Sequence, residues 1–404
     1  MKKTLLSILL ITVCIFAPLF AQGAAEATKT EGPTKITIWH DNDPRLTEAV
    51  EEVVNAKLTN DDISVVFEKK ANLTDNLKLY GGTPEGPDMY LFAHDSLGGF
   101  VAMDILSPIE NFVDASLLDN FIPMTVNAGK IAGKQYLLPL YFETLVMIYN
   151  KDLWKGDFPL TTEELYEYML ANTDGDNYAV VNQHSNAYNV SPFIYGFGAY
   201  IINEDGEPGL NSPEMIDAVK YNNKFAKLEA DGDYNTVTTL FNEKKAAAII
   251  GGPWLIPGIK EAGINYGIVP LSDIKLPNGN GLSPFSGVQS IGILKNADMK
   301  KDSIAKVLEC LASPEVGIAL AEAAGCAPAS SKAYENEAVS SNELIAAIKK
   351  TSSTSIPMPN IPEMGAMWGP TEGMLAAINK NNADIKTSCD NAQKQALQAI
   401  QDMR

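Results

Sequence analysis

From residue 35 onward the chain switches repeatedly between two hydrophobic periods. In Lys35-Ile36-Thr37-Ile38-Trp39 apolar and polar positions alternate, which predicts a strand. Leu46 to Leu58 returns its apolar residues every three or four positions, which predicts a helix. Ile63 to Phe67 and Asp88 to Phe92 are two further predicted strands, the second following a Gly- and Pro-rich turn from Gly81 to Pro87. Strands alternating with helices predict an α/β fold, a mostly parallel sheet covered by helices. The ligand crevice of such a sheet lies beyond the carboxyl ends of its strands.

Tyr136 to Asn150 is a long apolar, β-prone run with no strong turn signal, suited to carry the chain from one domain into another. Thr161 and Glu164 have the spacing of a helix capping box. Asn177 to Asn182 reads as a strand, Ser212 to Ala230 as a helix, and Ala246 to Ile250 as a second-domain strand ended by Gly251-Gly252-Pro253. Asp273 to Ser286, rich in Gly, Pro and Asn, reads as a return crossing. Ser303 to Leu311, Pro314 to Ala324 and the closing stretch Asp384 to Met403 are predicted helices. No internal repeat is visible.

The N-terminus sets the compartment. Lys2-Lys3 precede an apolar run from Leu5 to Phe20, and Ala21-Gln22-Gly23 offers small residues for cleavage. This is the pattern of a secretory signal, expected over 1–23, with 24–34 as a flexible lead-in. The run is short for a permanent anchor. Cys14 is a candidate lipid acceptor in a poor context, since Val13 precedes it. No other stretch is expected to span a bilayer, so the exported chain is expected to be soluble, periplasmic and monomeric. About 380 residues then remain, enough for two domains.

The formal net charge is −19, and more negative still once Lys2 and Lys3 leave with the leader. That balance excludes nucleic acid, which needs a basic footprint. It also disfavours anionic membranes and anionic ligands, and points to a neutral one. Cys310, Cys326 and Cys389 remain after export; Cys310 and Cys326 either pair or stay as buried thiols. No Cys-x-x-Cys, clustered His and Cys, dinucleotide fingerprint or P-loop is present, so neither metal nor cofactor is expected.

Four islands carry the candidate chemistry: Asp88 to Asp95, Tyr141 to Glu143 and Pro359 to Trp368 pair aromatic rings with carboxylates or amides, and Gly251 to Trp254 adds a ring. A sugar uses both groups, since its hydroxyls bond carboxylates strongly and its C–H faces stack on rings. Most aromatic residues are core residues, so the case rests on position: Trp254 follows a strand-ending Gly-Gly-Pro, and Asp95 and Glu143 sit at strand ends beside rings. His94 reads as structural, while His40 and His184 are candidates to line a cleft. No Ser/His/Asp signature appears. Asp95 and Glu143 could serve a secreted glycoside hydrolase as its pair of carboxylates, and this alternative stays open.

The chain resembles the maltose/maltodextrin-binding proteins of ABC sugar importers, within the extracellular solute-binding proteins of family 1. The resemblance is carried, in order, by Lys35 to Trp39, Gly86 to Asp95 with Gly98-Gly99, Glu143 with Ile148 to Leu153, Phe241-Asn242, Gly252 to Trp254 with Tyr266-Gly267, and Met358 to Pro362 with Trp368. It implies a two-lobed periplasmic-binding-protein fold with a hinged cleft, the lobes being 35–141 plus 286–338 and 142–285 plus 339–404. It implies that Asp41, Asp43, Asp95 and Glu143 bond sugar hydroxyls, that Tyr188, Trp254 and Trp368 stack on sugar faces, and that Phe92 stands where the family has Trp. Three other departures fall in the polar half of the site: Ser96 in place of an Arg, Pro44 in place of a Lys beside Arg45, and Asn186 near an expected Glu. The implied function is capture of maltodextrin-like oligosaccharides for permease subunits, without catalysis. A surface adhesin or a chemotaxis ligand carrier on the same fold is a further alternative.

Overall fold

The computed structural model describes residues 33–228 and 231–403. The expected signal, Cys14 and most of the lead-in lie outside the described residues. No helix among the described residues is long and apolar enough to cross a membrane.

The chain builds two principal sheets. The first runs in the order Ala327–Pro328, Leu137–Thr144, Phe285–Leu294, Met89–Ala93, Thr34–His40, Ile63–Lys69, with short strands Ile356–Pro357 and Leu106–Ser107 added to Phe285–Leu294. The second runs Tyr266–Pro270, Val146–Asn150, Ala246–Gly251, Tyr178–Val181. Thr34–His40 pairs in parallel with both of its neighbours, and Ala246–Gly251 with Tyr178–Val181. The strands that enter after a passage between the sheets run the other way. Both sheets are therefore mixed, because a chain that leaves one sheet and returns arrives reversed.

The first passage falls where the polar pattern is weakest. Leu137–Thr144 is buried along its whole length in the first sheet, Leu145 follows, and Val146–Asn150 is already in the second. The return comes between Tyr266–Pro270 and Phe285–Leu294. Later, Glu343–Ser352 packs beside Tyr266–Pro270, and Ile356–Pro357 then pairs in parallel with Phe285 and Ser286. The tail assigned by resemblance to the second lobe thus also contributes a strand to the first sheet.

Local signals explain the helices. Asp43 caps Pro44–Lys57, with Pro44 in the first turn where a missing N–H costs nothing. The Thr161–Glu164 capping box forms in both directions, each bond 3.2 Å. Leu46, Val50 and Val54 bury one face of Pro44–Lys57 against Ile36, Ile38, Val65 and Leu91 of the first sheet. Cys310, Cys326 and Cys389 are free, and Cys310 and Cys326 belong to that same core, so the unpaired alternative is the one found.

Candidate sugar-binding site

A cavity of about 540 Å³ opens between the two sheets, within the size range of small-molecule sites. The eight residues that the resemblance implies as ligand-facing line it: Asp41, Asp43, Phe92, Asp95, Glu143, Tyr188, Trp254 and Trp368. Asp41 is the first residue beyond Thr34–His40, and Asp95 lies in the 3-10 turn that follows Met89–Ala93. Those two strands run in parallel, so both carboxylates emerge at the same sheet edge. Trp254 lies in the turn after Ala246–Gly251, Tyr188 at the start of Ala187–Gly196, and Trp368 at the start of Trp368–Asn381.

Two glycines make room for this arrangement. A Cβ on Gly252 would stand 2.2 Å from the Trp254 ring, so the ring folds over a position that must stay bare. A Cβ on Gly98 would meet the Ile361 and Pro362 backbone at 2.4 Å, so Gly98 lets the 359–362 loop reach the turn that holds Asp95. His94 fixes the same junction: its Nδ1 accepts from the Val288 N–H at 3.1 Å, which leaves Nε2–H to donate to the Met358 carbonyl at 2.9 Å. Its expected structural role is the one observed.

The aromatic wall is a chain of contacts. Tyr188 meets Trp254 edge-on at 6.1 Å and lies near-parallel to Phe285 at 6.3 Å; Phe285 in turn meets Trp368 edge-on at 6.1 Å. Phe285 is fully buried, while Tyr188, Trp254 and Trp368 are half-buried and line the cavity as stiff rings suited to an apolar surface. The Trp368 indole stands near enough to Asp95 to oppose the rise of its pKa, which joins the ring wall to the acidic wall.

The carboxylates fall into two groups. Burial pushes Glu143 up to about 7 and Asp95 up to about 6; Gln289 opposes the first shift, and the Asp95 backbone and the Trp368 indole oppose the second. Asp41 is also raised by burial, with Lys69 opposing. Asp43 goes the other way, held down by Arg45, whose Nε and Nη2 bond its two oxygens at 3.0 and 2.8 Å. Arg45 then crosses to Pro257–Glu261, bonding Glu261 at 2.5 Å and the Pro257 carbonyl at 3.3 Å. Both oxygens of Asp43 are therefore engaged within the protein.

Two expected cleft residues lie elsewhere. His40 is buried against Phe67, and its ring falls to about 4 because burial disfavours the imidazolium. His184 is buried with Nδ1 2.6 Å from Asn222 Oδ1. Neither lines the cavity. Strand alternation turns His40 away from the edge where Asp41 emerges, and His184 is claimed by the helix Pro213–Ala226.

Other lining residues had weaker signals. Glu372 lies one helical turn after Trp368, a spacing that shares a face, and it accepts from Asn186 Nδ2 at 2.8 Å. A carboxylate missing near 186 in sequence is thus supplied from another helix. Gln289 is a lone amide inside the wholly buried strand Phe285–Leu294. Lys69 ends Ile63–Lys69 at the same edge as Asp41, and Tyr234 opens Tyr234–Asn242 with no distinctive local pattern. Asn42, Tyr188 and Gln289 line the cavity, and each also carries a buried polar atom, Nδ2, Oη and Oε1, without a hydrogen-bond partner.

Residues 43–318 match the model of the bacterial extracellular solute-binding proteins. The chain is 31% identical to the maltotriose-binding protein of Pyrococcus abyssi (strain GE5 / Orsay), over 92% of this chain and 83% of that protein. It is 29% identical to the galactooligosaccharide-binding protein of Bacillus subtilis (strain 168), over 96% of each chain. It is also 29% identical to a maltodextrin-binding protein of the same organism, over 93% of this chain and 94% of that one.

Proposed function

Because the chain belongs to the bacterial extracellular solute-binding proteins, we propose that it captures a neutral, maltodextrin-like oligosaccharide between its two sheets and delivers it to the permease of an ABC importer. The observation that carries this reading is the lining of one cavity by half-buried rings and raised-pKa carboxylates. Tyr188, Trp254 and Trp368 stack on sugar faces, while Asp41, Asp95 and Glu143 accept from sugar hydroxyls. Binding is the whole of the chemistry, and no bond is broken. The bodies built on the two sheets close on the sugar, with the chain at Leu145 and at 271–284 acting as hinges, and the permease reads the closed form. The protein works as an exported, periplasmic monomer.

Calorimetry against maltooligosaccharides and galacto-oligosaccharides of graded length tests this reading. Saturable binding of a glucose oligomer is expected, with no new reducing ends after prolonged incubation and a smaller radius of gyration at saturation. Release of reducing ends would establish a glycoside hydrolase instead, and an unchanged radius at saturation would overturn closure.

A further inference from the structure

Glu372 is the acid on the ring side of the cavity. The other lining carboxylates, Asp41, Asp43, Asp95 and Glu143, stand on strands of the first sheet or just beyond them. Glu372 lies in Trp368–Asn381, one turn after Trp368, so the two side chains share a helix face. It is half-buried and no cation offsets that burial, which raises its pKa against the opposing Ala187 N–H. One of its oxygens is fixed by a neighbouring helix. Asn186 caps Ala187–Gly196: its Oδ1 accepts from the Asn189 N–H at 3.0 Å, which turns its Nδ2 to donate to Glu372 Oε1 at 2.8 Å. The Ala187 N–H reaches the same oxygen at 3.4 Å. Oε2 takes no bond among the described residues and remains accessible. The carboxylate is thus held by one oxygen and free at the other.

We propose that Glu372 is a further specificity-determining residue, whose free oxygen accepts from a donor on the edge of the sugar unit that stacks on Trp368. This rests on the sugar-binding reading above and names one contact on the ring side of that site. A sugar stacked on an indole lays its C–H groups on the ring and sends its hydroxyls outward from its edge. A carboxylate one turn along the same helix face stands beside that edge. An ionised carboxylate accepts and does not donate, so the ligand group facing it must carry a proton. A hydroxyl meets that need. A protonated amine meets it more strongly, because both partners of the bond are then charged. A deoxy position leaves the acceptor unpaired, and a site built to bond a hydroxyl rejects such a ligand far more strongly than an apolar pocket would. At this one unit the site therefore admits an amino sugar and refuses an acidic one.

The experiment measures the affinity of wild type and Glu372→Gln for the best-bound maltooligosaccharide, for its monodeoxy analogues and for its monoamino analogues. Glu372→Gln is isosteric: its carbonyl keeps the bonds to Asn186 and Ala187, and an NH₂ takes the place of Oε2. At one hydroxyl position wild type is expected to bind the deoxy analogue about tenfold more weakly than the parent and the amino analogue no more weakly. Glu372→Gln should bind the parent about tenfold more weakly. At that position alone it should bind the deoxy analogue as well as the parent and reject the amino one. A variant that ranks the analogues as wild type does, at whatever affinity, overturns the proposal and leaves Glu372 a structural partner of Ala187–Gly196. A variant that loses discrimination at every position alike overturns it too. So does a wild type that rejects every amino analogue, a result that needs no variant to fold. If wild type binds no maltooligosaccharide, the functional reading fails first, and the two failures are distinct.

Discussion

The mouth and the floor of the cavity use the same residue types and leave them in opposite states. At the mouth, Asp43 is partly open to solvent and held by Arg45, and its carboxyl is stabilised as an anion. On the floor, Asp95 and Glu143 are buried with amide and indole partners but no cation, and burial raises both. A paired charge near water is satisfied, and a buried one without a counter-ion is not. The floor is therefore where donors from a ligand gain most. The mouth joins the helix of Arg45 to that of Glu261, and Lys260 adds a 3.0 Å bond to the Glu322 carbonyl at the end of Pro314–Ala324.

The rings above the floor give the largest expected effect. Trp254→Ala and Trp368→Ala should each weaken sugar binding by about 2 kcal/mol or more, roughly thirtyfold, with the fold retained. Trp368→Ala and Trp368→Phe both remove the indole N–H near Asp95, so their losses should differ only by the stacking difference. Calorimetry beside a melting curve separates a binding ring from a core ring, since a core ring would cost melting temperature and leave affinity alone.

Next come the floor carboxyls. Glu143→Gln and Asp95→Asn should each cost about 1–3 kcal/mol of affinity by removing a charge-assisted bond. Their effect on the unliganded protein should have the opposite sign. An acid whose folded pKa is raised binds more protons folded than unfolded, so its stability contribution is full below the unfolded value near 4.5 and is lost as pH climbs towards 7 for Glu143. Glu143→Gln should therefore raise the melting temperature at pH 8 and leave it nearly unchanged at pH 4.5. A mutant that melts lower at pH 8 would mean that the carboxylate is satisfied without ligand, and the contrast with Asp43 would collapse.

The mouth gives the smallest effect. Asp43→Asn and Glu261→Gln should each change affinity by no more than about fivefold, because exposed ion pairs are worth about 1 kcal/mol at most. Asp43 has a lowered pKa, so its contribution is present above about pH 4, the ordinary carboxylate value, and fades as pH falls through the lowered one. If Glu261→Gln speeds sugar release and added salt speeds wild-type release to match, the mouth holds the closed form. A loss at Asp43→Asn as large as that at Glu143→Gln would instead make Asp43 a direct sugar contact.

The local patterns determined a great deal. Apolar alternation at Ile36 and Ile38, the helix from Leu46, the Thr161 capping box and the Gly-Gly-Pro stop after Ile250 each depend on neighbours within a few residues, so they are legible in order along the chain. Placing Asp41, Asp95 and Trp254 just past strand ends followed from the same signals. Tertiary structure alone decided which polar groups were already taken. Asp43 and Glu143 read alike, yet Asp43 meets Arg45, itself tied to a helix more than 200 residues further on, while Glu143 meets Gln289 across a strand pair. His40 looked as available as Asp41 beside it, but the pleat turned it inward. Glu372 came to fill a place near Asn186 from the far end of the chain. Burial and charge pairing depend on distance in space, and no local window of sequence contains that distance.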